Sequence, residues 1–195
     1  MVTGTARALA RNQRGETTTT EQTLVAIPYS TWANRGRGEM EVWIARNDAA
    51  ARPTPYPTLA TMSAVTSSGR KNPRAVNDGE EPSASNDAAF YFDWWPTKGT
   101  TEWMEYALPA ASTVSTSEVY WFDDTGRGEV RVPQSWRLLY KDGSDWKPVD
   151  AKGAYGVAKD KYNAVTFTPV TTTGLRLEVT MQPQWSAGVQ EWKVK

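Results

Sequence analysis

Apolar and polar residues alternate in short runs along most of this chain. TLVAIPY (23–29), EMEVWIA (39–45), TEWMEYALP (101–109), SEVYWFD (117–123), SWRLLYKDG (135–143), NAVTFTP (163–169), GLRLEVT (174–180) and GVQEWKV (188–194) are short and rich in β-branched and aromatic residues. Met40, Val42 and Ile44 alternate with Glu39, Glu41 and Trp43, as a strand with one buried face requires. Asp142-Gly143 sits between two aromatic-bearing runs, where a hairpin turn belongs. Long helical periodicity is missing. The pattern therefore predicts an all-β chain, a β-sandwich with jelly-roll connections.

One run breaks the alternation. In FYFDWWP (90–96), Trp94 and Trp95 are adjacent, so in a strand they point to opposite faces and cannot both enter a one-sided core. One belongs inside, and the other is free for a ligand or an interdomain contact. A second break is NDAAARPTPYPT (47–58), where Pro53, Pro55 and Pro57 alternate. Proline at every second position cannot donate to a ladder, so this stretch predicts a semi-rigid linker. The expected division is residues 1–50, the last strands of an upstream β-sandwich, a linker over 51–60, and a complete sandwich over 61–195.

Composition removes several functions. The 22 Lys and Arg balance the 22 Asp and Glu, so no net field draws the chain to nucleic acid or to anionic lipid. With no Cys and no His there is no thiolate nucleophile, imidazole base, disulfide or Cys/His zinc site. No window approaches the roughly 18 apolar residues of a membrane helix. The opening MVTGTARALARNQRGETTTT lacks the apolar core of a signal peptide, so export would need a signal upstream. Glu102, Glu105, Asp123, Asp124 and Glu129 offer carboxylates for glycosidase chemistry. Nothing in their spacing pairs any two across a cleft, and catalysis ranks below binding.

AIPYSTWANRGRGEMEVWIAR (26–46) resembles the C-terminal end of the β-sandwich that follows the helical barrel in the beta-L-arabinofuranosidase-type glycoside hydrolases. In that family the nucleophile is a zinc-bound cysteine of the barrel. A chain without cysteine is then, by this resemblance, a non-catalytic accessory fragment of a secreted or periplasmic enzyme acting on plant polysaccharide. The rest resembles the galactose-binding-like (discoidin or coagulation-factor C-type) sandwich. Its carriers are AVNDGEEPSASND (75–87), DWWPTKGTTEWMEYALP (93–109), VPQSWRLLYKDGSDWKPV (132–149), YNAVTFTPVTTTGLRLEV (162–179) and SAGVQEWKV (186–194).

That resemblance implies a structural calcium held by Asp78, Ser83 and Glu191, with Glu80 and Glu81 close by in sequence. The same Asn77-Asp78-Gly79 also reads as an ordinary turn. Ten tryptophans are many for this length. Trp103, Trp136 and Trp192 lie within strands and suit the core. Trp94, Trp95, Trp121 and Trp185 stand at strand ends beside Asp93, Asp123, Asp124, Arg127 and Gln184. A flat indole offers its face to the C–H face of a sugar while carboxylate and guanidinium groups take the hydroxyls. Trp94, Trp95, Trp121, Asp123, Asp124, Arg127 and Trp185 are therefore the candidate carbohydrate contacts, with DDTGRGEVRVP (123–133) a mobile apical loop. The same tryptophans equally suit an apolar contact with the upstream catalytic domain, in a chain that only braces it.

Overall fold

The computed structural model describes the backbone of residues 3–11, 17–25, 33–34 and 40–41, and residues 58–195 in full. The chain divides into two compact units, Met1–Tyr56 and Pro57–Lys195. In the first, β1 (Thr3–Arg11) pairs antiparallel with β2 (Thr17–Val25), in register from Thr3 opposite Val25 to Arg11 opposite Thr17. β3 (Ala33–Asn34) pairs antiparallel with β4 (Met40–Glu41). Of the runs expected at 23–29 and 39–45, the described parts are the end of β2 and the whole of β4. The proline-rich stretch 47–57 and most of 26–46 lie outside the described residues.

The second unit runs β5 (Ala64–Ser67), a 3-10 turn (Pro73–Asn77), β6 (Phe92–Asp93), β7 (Thr101–Phe122) and β8 (Val130–Arg131). It continues with β9 (Ser135–Asp142), β10 (Asp145–Pro148), β11 (Tyr162–Thr180) and β12 (Ser186–Val194). The β9–β10 hairpin turns at Gly143, whose φ of 61° is the left-handed geometry that glycine adopts freely. Two strands are much longer than their sequence patterns suggest. TEWMEYALP and SEVYWFD belong to one strand, β7, and NAVTFTP and GLRLEVT to another, β11. The β7–β11 ladder slips register between Thr166 and Val170 and again between Thr172 and Gly174. Such irregularities bend strands and raise their twist, which lets a single strand serve two layers.

In the first layer, Thr101–Ala107 of β7 lies between β5 and Gly174–Thr180 of β11, and β9 and β10 follow. In the second, Ser117–Phe122 of β7 lies between Tyr162–Thr166 of β11 and β12, with β6 beyond β12 and β8 parallel to it. The two layers make the expected β-sandwich, with a single 3-10 turn and no other helix among the described residues. Met104, Tyr106, Leu138, Leu175, Leu177 and Val179 of the first layer and Val119, Trp121, Val189 and Trp192 of the second share one core. Tyr106 stacks on Trp192 with centroids 4.0 Å apart, and Trp121 meets Trp136 edge to face at 5.7 Å. The Tyr106 hydroxyl donates to the Trp192 carbonyl oxygen at 2.7 Å, so this stack also satisfies its one polar group.

Trp136 and Trp192 are in the core as expected. Trp103 is not: it is half-buried on the outer face of the first layer, because on β7 it alternates with the inward Met104.

Candidate functional site

Three loops meet at one end of the sandwich: 93–100 after β6, 123–129 after β7, and 182–185 before β12. Asp93 is buried, bound by Lys71 Nζ at 2.7 Å, and accepts from the Trp95 N–H at 2.9 Å. That Asx turn reverses the chain straight after β6 and settles the Trp-Trp question. Trp94 goes inward, 3% exposed, its ring edge to face with Phe92 and its Nε1–H donating to Ser68 Oγ at 3.2 Å. Trp95 goes outward, 50% exposed. Its Nε1–H donates to Glu129 Oε2 at 2.9 Å, and Lys98 Nζ takes Glu129 Oε1 at 2.7 Å. Lys98 and, after it, the Trp95 indole hold the Glu129 carboxyl below its usual range. The Glu129 carbonyl in turn accepts the Ser186 N–H at 3.0 Å, tying this loop to β12.

The segment before β12 carries a second indole, Trp185. Arg131 Cζ lies 4.0 Å from the ring centroid of half-buried Trp185, a cation–π contact. Arg131 Nη1 also reaches Asp124 Oδ1 at 3.0 Å, and the same oxygen accepts the Val130 N–H at 2.9 Å. Asp124 thus braces its own loop, so closely that a Cβ at position 128 would lie 2.1 Å from its Oδ2 and displace that carboxylate. Arg127 N–H and Gly128 N–H both donate to the Asp124 carbonyl, so the 123–129 loop contains a hydrogen-bonded turn. Arg127 stands exposed at its crest.

The seven candidate sugar contacts therefore separate. Trp95 stands with Lys98 and Glu129, which the sequence reading did not select as sugar contacts; Arg127 is exposed on the same loop as Glu129, and Trp185 is half-buried against Arg131. Trp94 and Trp121 do not offer a ring to solvent: Trp121 is fully buried, with Nε1–H on the Gly156 carbonyl at 3.3 Å. Asp123 is also buried. It accepts from Lys159 Nζ at 2.7 Å, from the Val132 N–H at 3.1 Å, and from both the N–H and the hydroxyl of Thr125. Burial alone would raise its carboxyl, but Lys159 and the other donors outweigh that and hold it below the usual range. Trp94, Trp121 and Asp123 stand at strand ends in the sequence, yet the turn at Asp93 sends Trp94 inward, and β7 is buried on both faces through its last residues, Val119 to Phe122, and on into Asp123.

The second candidate lies where the 3-10 turn meets β12. Asn77, buried, donates to the Ala60 and Ser63 carbonyls at 2.8 and 3.0 Å and so fixes the following Asp78. Glu191 on β12 is 1% exposed, and its Oε2 has no hydrogen-bond partner. Burial, and next the charge of Asp78, push its carboxyl up to about 9, and burial also raises Asp78. Buried Glu191, with its orphaned oxygen, and half-buried Asp78 form an oxygen-only donor pair that suits a hard cation. Ser83 does not join them: exposed, its hydroxyl donates to Asp87 Oδ2 at 2.7 Å. Glu81 is drawn instead to Lys193 and to the Tyr162 hydroxyl, the latter at 2.7 Å. Among the described residues no three acidic side chains converge, so a cation here would complete its shell with neutral oxygens.

Residues 5–45 match the family model of the glycoside hydrolase family 127 C-terminal domain. Chitosan-binding module 1 of a chitosanase/glucanase from Paenibacillus sp. IK-5 superimposes with a TM-score of 0.52 at 16% identity, over 72% of this chain and 99% of that one. A β-galactosidase chain from Streptococcus pneumoniae does so with a TM-score of 0.56 at 17% identity, over 72% of this chain and 95% of that one. The Clostridium perfringens module CpGH89CBM32-5, solved with GalNAc-β-1,3-galactose, gives 0.55 at 12% identity, over 71% of this chain and 99% of that one. The chain thus joins a segment similar to the family 127 C-terminal domain to a β-sandwich with the fold of the CBM32 carbohydrate-binding modules.

Proposed function

We propose that this chain is a non-catalytic accessory part of a secreted glycoside hydrolase, and that its sandwich holds carbohydrate at the Trp95 tip. One observation carries the reading: an indole half open to solvent whose own N–H is spent on Glu129, so that the ring is fixed while its face is free. A ring held in place before the ligand arrives loses little freedom on binding. Lys98, Glu129 and Arg127 then supply donors and an acceptor for hydroxyls around that face, and Trp185 a second apolar wall. The neighbours named for chitosan and for GalNAc-β-1,3-galactose support a sugar as the ligand class, and the family 127 match supports a glycoside hydrolase parent. Within that parent, the resemblance at 26–46 favours a beta-L-arabinofuranosidase and hence a plant polysaccharide. No helix among the described residues is long and apolar enough to cross a membrane.

The reading includes a structural Ca²⁺ held by Asp78 and Glu191. The ion would supply the positive charge that Glu191 Oε2 lacks and tie the 3-10 turn to β12. Ser83 has no part in it.

The test is affinity electrophoresis of the full chain in native gels cast with arabinose-, galactose- or xylose-rich polysaccharide or chitosan, with calcium and with a chelator. Retardation by one class, lost in Trp95→Ala with the melting temperature unchanged, is the expected result. A folded chain that no polysaccharide retards overturns it. A domain that braces the catalytic barrel is then the better account, with exposed Trp95 and Phe90 as its apolar contacts.

A further inference from the structure

The strand register arranges the outer face of the first layer as a grid across β7, β11 and β9. Its rows are Thr101, Thr180 and Ser135; then Trp103, Glu178 and Arg137; then Glu105, Arg176 and Leu139. Rows on one face repeat about every 7 Å along a strand. In the first row the hydroxyls of Thr101 and Thr180 are 3.0 Å apart, and in the second Arg137 Nε donates to Glu178 Oε2 at 2.6 Å. Thr101, Thr180, Ser135, Arg137 and Glu178, together with Trp136, line a hollow of about 270 Å³. The third row is closed. Arg176 lies between two half-buried indoles, its Cζ 5.1 Å from the Trp103 centroid and 4.6 Å from that of Trp146, and its Nε donates to Glu105 Oε1 at 2.7 Å.

The Trp103–Arg176–Trp146 sandwich has a sufficient structural account, since cross-strand pairs of this kind stabilise sheets. The hollow does not take part in that sandwich. Its charges cancel, one guanidinium against one carboxylate, and three hydroxyls complete its rim. A surface that is neutral in sum but dense in both donors and acceptors gives nothing to a phosphate backbone, which needs uncompensated cations. It also lacks the apolar centre of a protein interface. It matches a neutral polyol, in which every hydroxyl both donates and accepts. Its size is at the lower end of small-ligand sites. Trp103 is directly opposite Glu178 in the ladder, so its indole, half-buried and met by Arg176, is the apolar side chain in the row that borders the hollow.

We propose that this face is a second carbohydrate-binding surface, seating one neutral sugar ring between Arg137, Glu178 and the Thr101, Thr180 and Ser135 hydroxyls, with the next ring against Trp103. The inference rests on reading the chain as a carbohydrate binder but uses no residue of the Trp95 tip. Two surfaces on one sandwich would let the chain cross-link polysaccharide strands or grip one strand twice.

The full chain, labelled with ¹⁵N, is titrated with neutral xylo- and galacto-oligosaccharides while amide and indole N–H signals are followed. The expected result is a set of shifts at Thr101, Trp103, Arg137 and Glu178 that saturates independently of the set at Trp95 and Lys98. In Arg137→Gln/Glu178→Gln the sheet set should weaken by about ten-fold or more while the tip set is unchanged. Trp95→Ala should do the reverse. Thr180→Val, which removes one hydroxyl at constant volume, provides a second variant should the double one fold poorly. Shifts confined to the tip, or sheet shifts indifferent to these substitutions, overturn the second surface and leave the tip standing. Shifts confined to the sheet overturn the tip alone, and silence at both overturns both.

Discussion

Asp123 at the end of β7 and Glu191 in β12 are both buried, at 3% and 1% exposure, and both sit where loops meet strands. Their surroundings push them in opposite directions. Asp123 receives Lys159, the Val132 N–H and two donors from Thr125, and its carboxyl is held low. Glu191 has an oxygen without a donor and the carboxylate of Asp78 beside it, and its carboxyl is pushed up to about 9. Burial penalises both; the donors decide the sign. Asp123 is a latch that the chain completes by itself. Glu191 is completed only by a proton or a cation, and under the proposed function that cation is calcium.

The largest break of this contrast is expected from Asp123→Asn. It leaves Lys159 without its partner and weakens the anchorage of the 123–129 loop, for a loss on the order of 2–3 kcal/mol in chemical denaturation. Glu191→Gln instead removes the need for a buried carboxyl to take up a proton on folding. In chelator at pH 8.5 it is expected to stabilise the chain by about 2 kcal/mol and to abolish the rise in melting temperature that calcium gives the unmodified chain. A destabilised, calcium-responsive Glu191→Gln would remove Glu191 from the proposed site.

The pH dependence sharpens the same comparison. A carboxyl raised in the fold, as Glu191 is, favours the folded state fully below its ordinary value of 4.5, and that contribution is lost as pH rises from there to about 9. A carboxyl lowered in the fold, as Asp123 is, contributes above 3.8 and loses its contribution as pH falls further through the folded value. Melting curves in chelator should therefore decline from pH 5 towards 9, and calcium should flatten that decline. Below pH 4 they should fall again, less steeply in Asp123→Asn. The smallest effect belongs to the exposed tip: Trp95→Ala should change stability by no more than about 0.5 kcal/mol, so its effect, if the tip binds sugar, appears only in retention.

Much of the sandwich was legible where its strands alternate, as in Thr101–Leu108 of β7 and Asn163–Phe167 of β11. Met104 and Tyr106 point in and Trp103 and Glu105 out, and the Asp-Gly hairpin falls where its residues predict. What misled was the join between runs. Pro109 and Pro169 look like strand ends, yet β7 and β11 pass through them, because the ladder slips register there without ending. Short strands such as β6 and β8 leave no periodic trace at two residues each. At the site, the Trp-Trp pair correctly signalled one ring in and one out. Glu129, named only among carboxylates for catalysis, and Lys98 were not selected as sugar contacts, because the bonds from Trp95 and Lys98 to Glu129 span more than thirty positions of sequence and exist only after folding. Ser83 shows the converse, a residue chosen by pattern that the local chain claims for Asp87.

β12 comes after every strand it touches, with β7 on one side and β6 and β8 on the other. On the ribosome, Phe92, Tyr106 and Trp121 are made long before Trp192, the residue that covers Tyr106. The second layer therefore stays open through nearly the whole synthesis of the module and closes in one late step. A nascent chain in that state exposes both an unpaired ladder and aromatic surface, so its safety depends on how quickly the final strand is delivered.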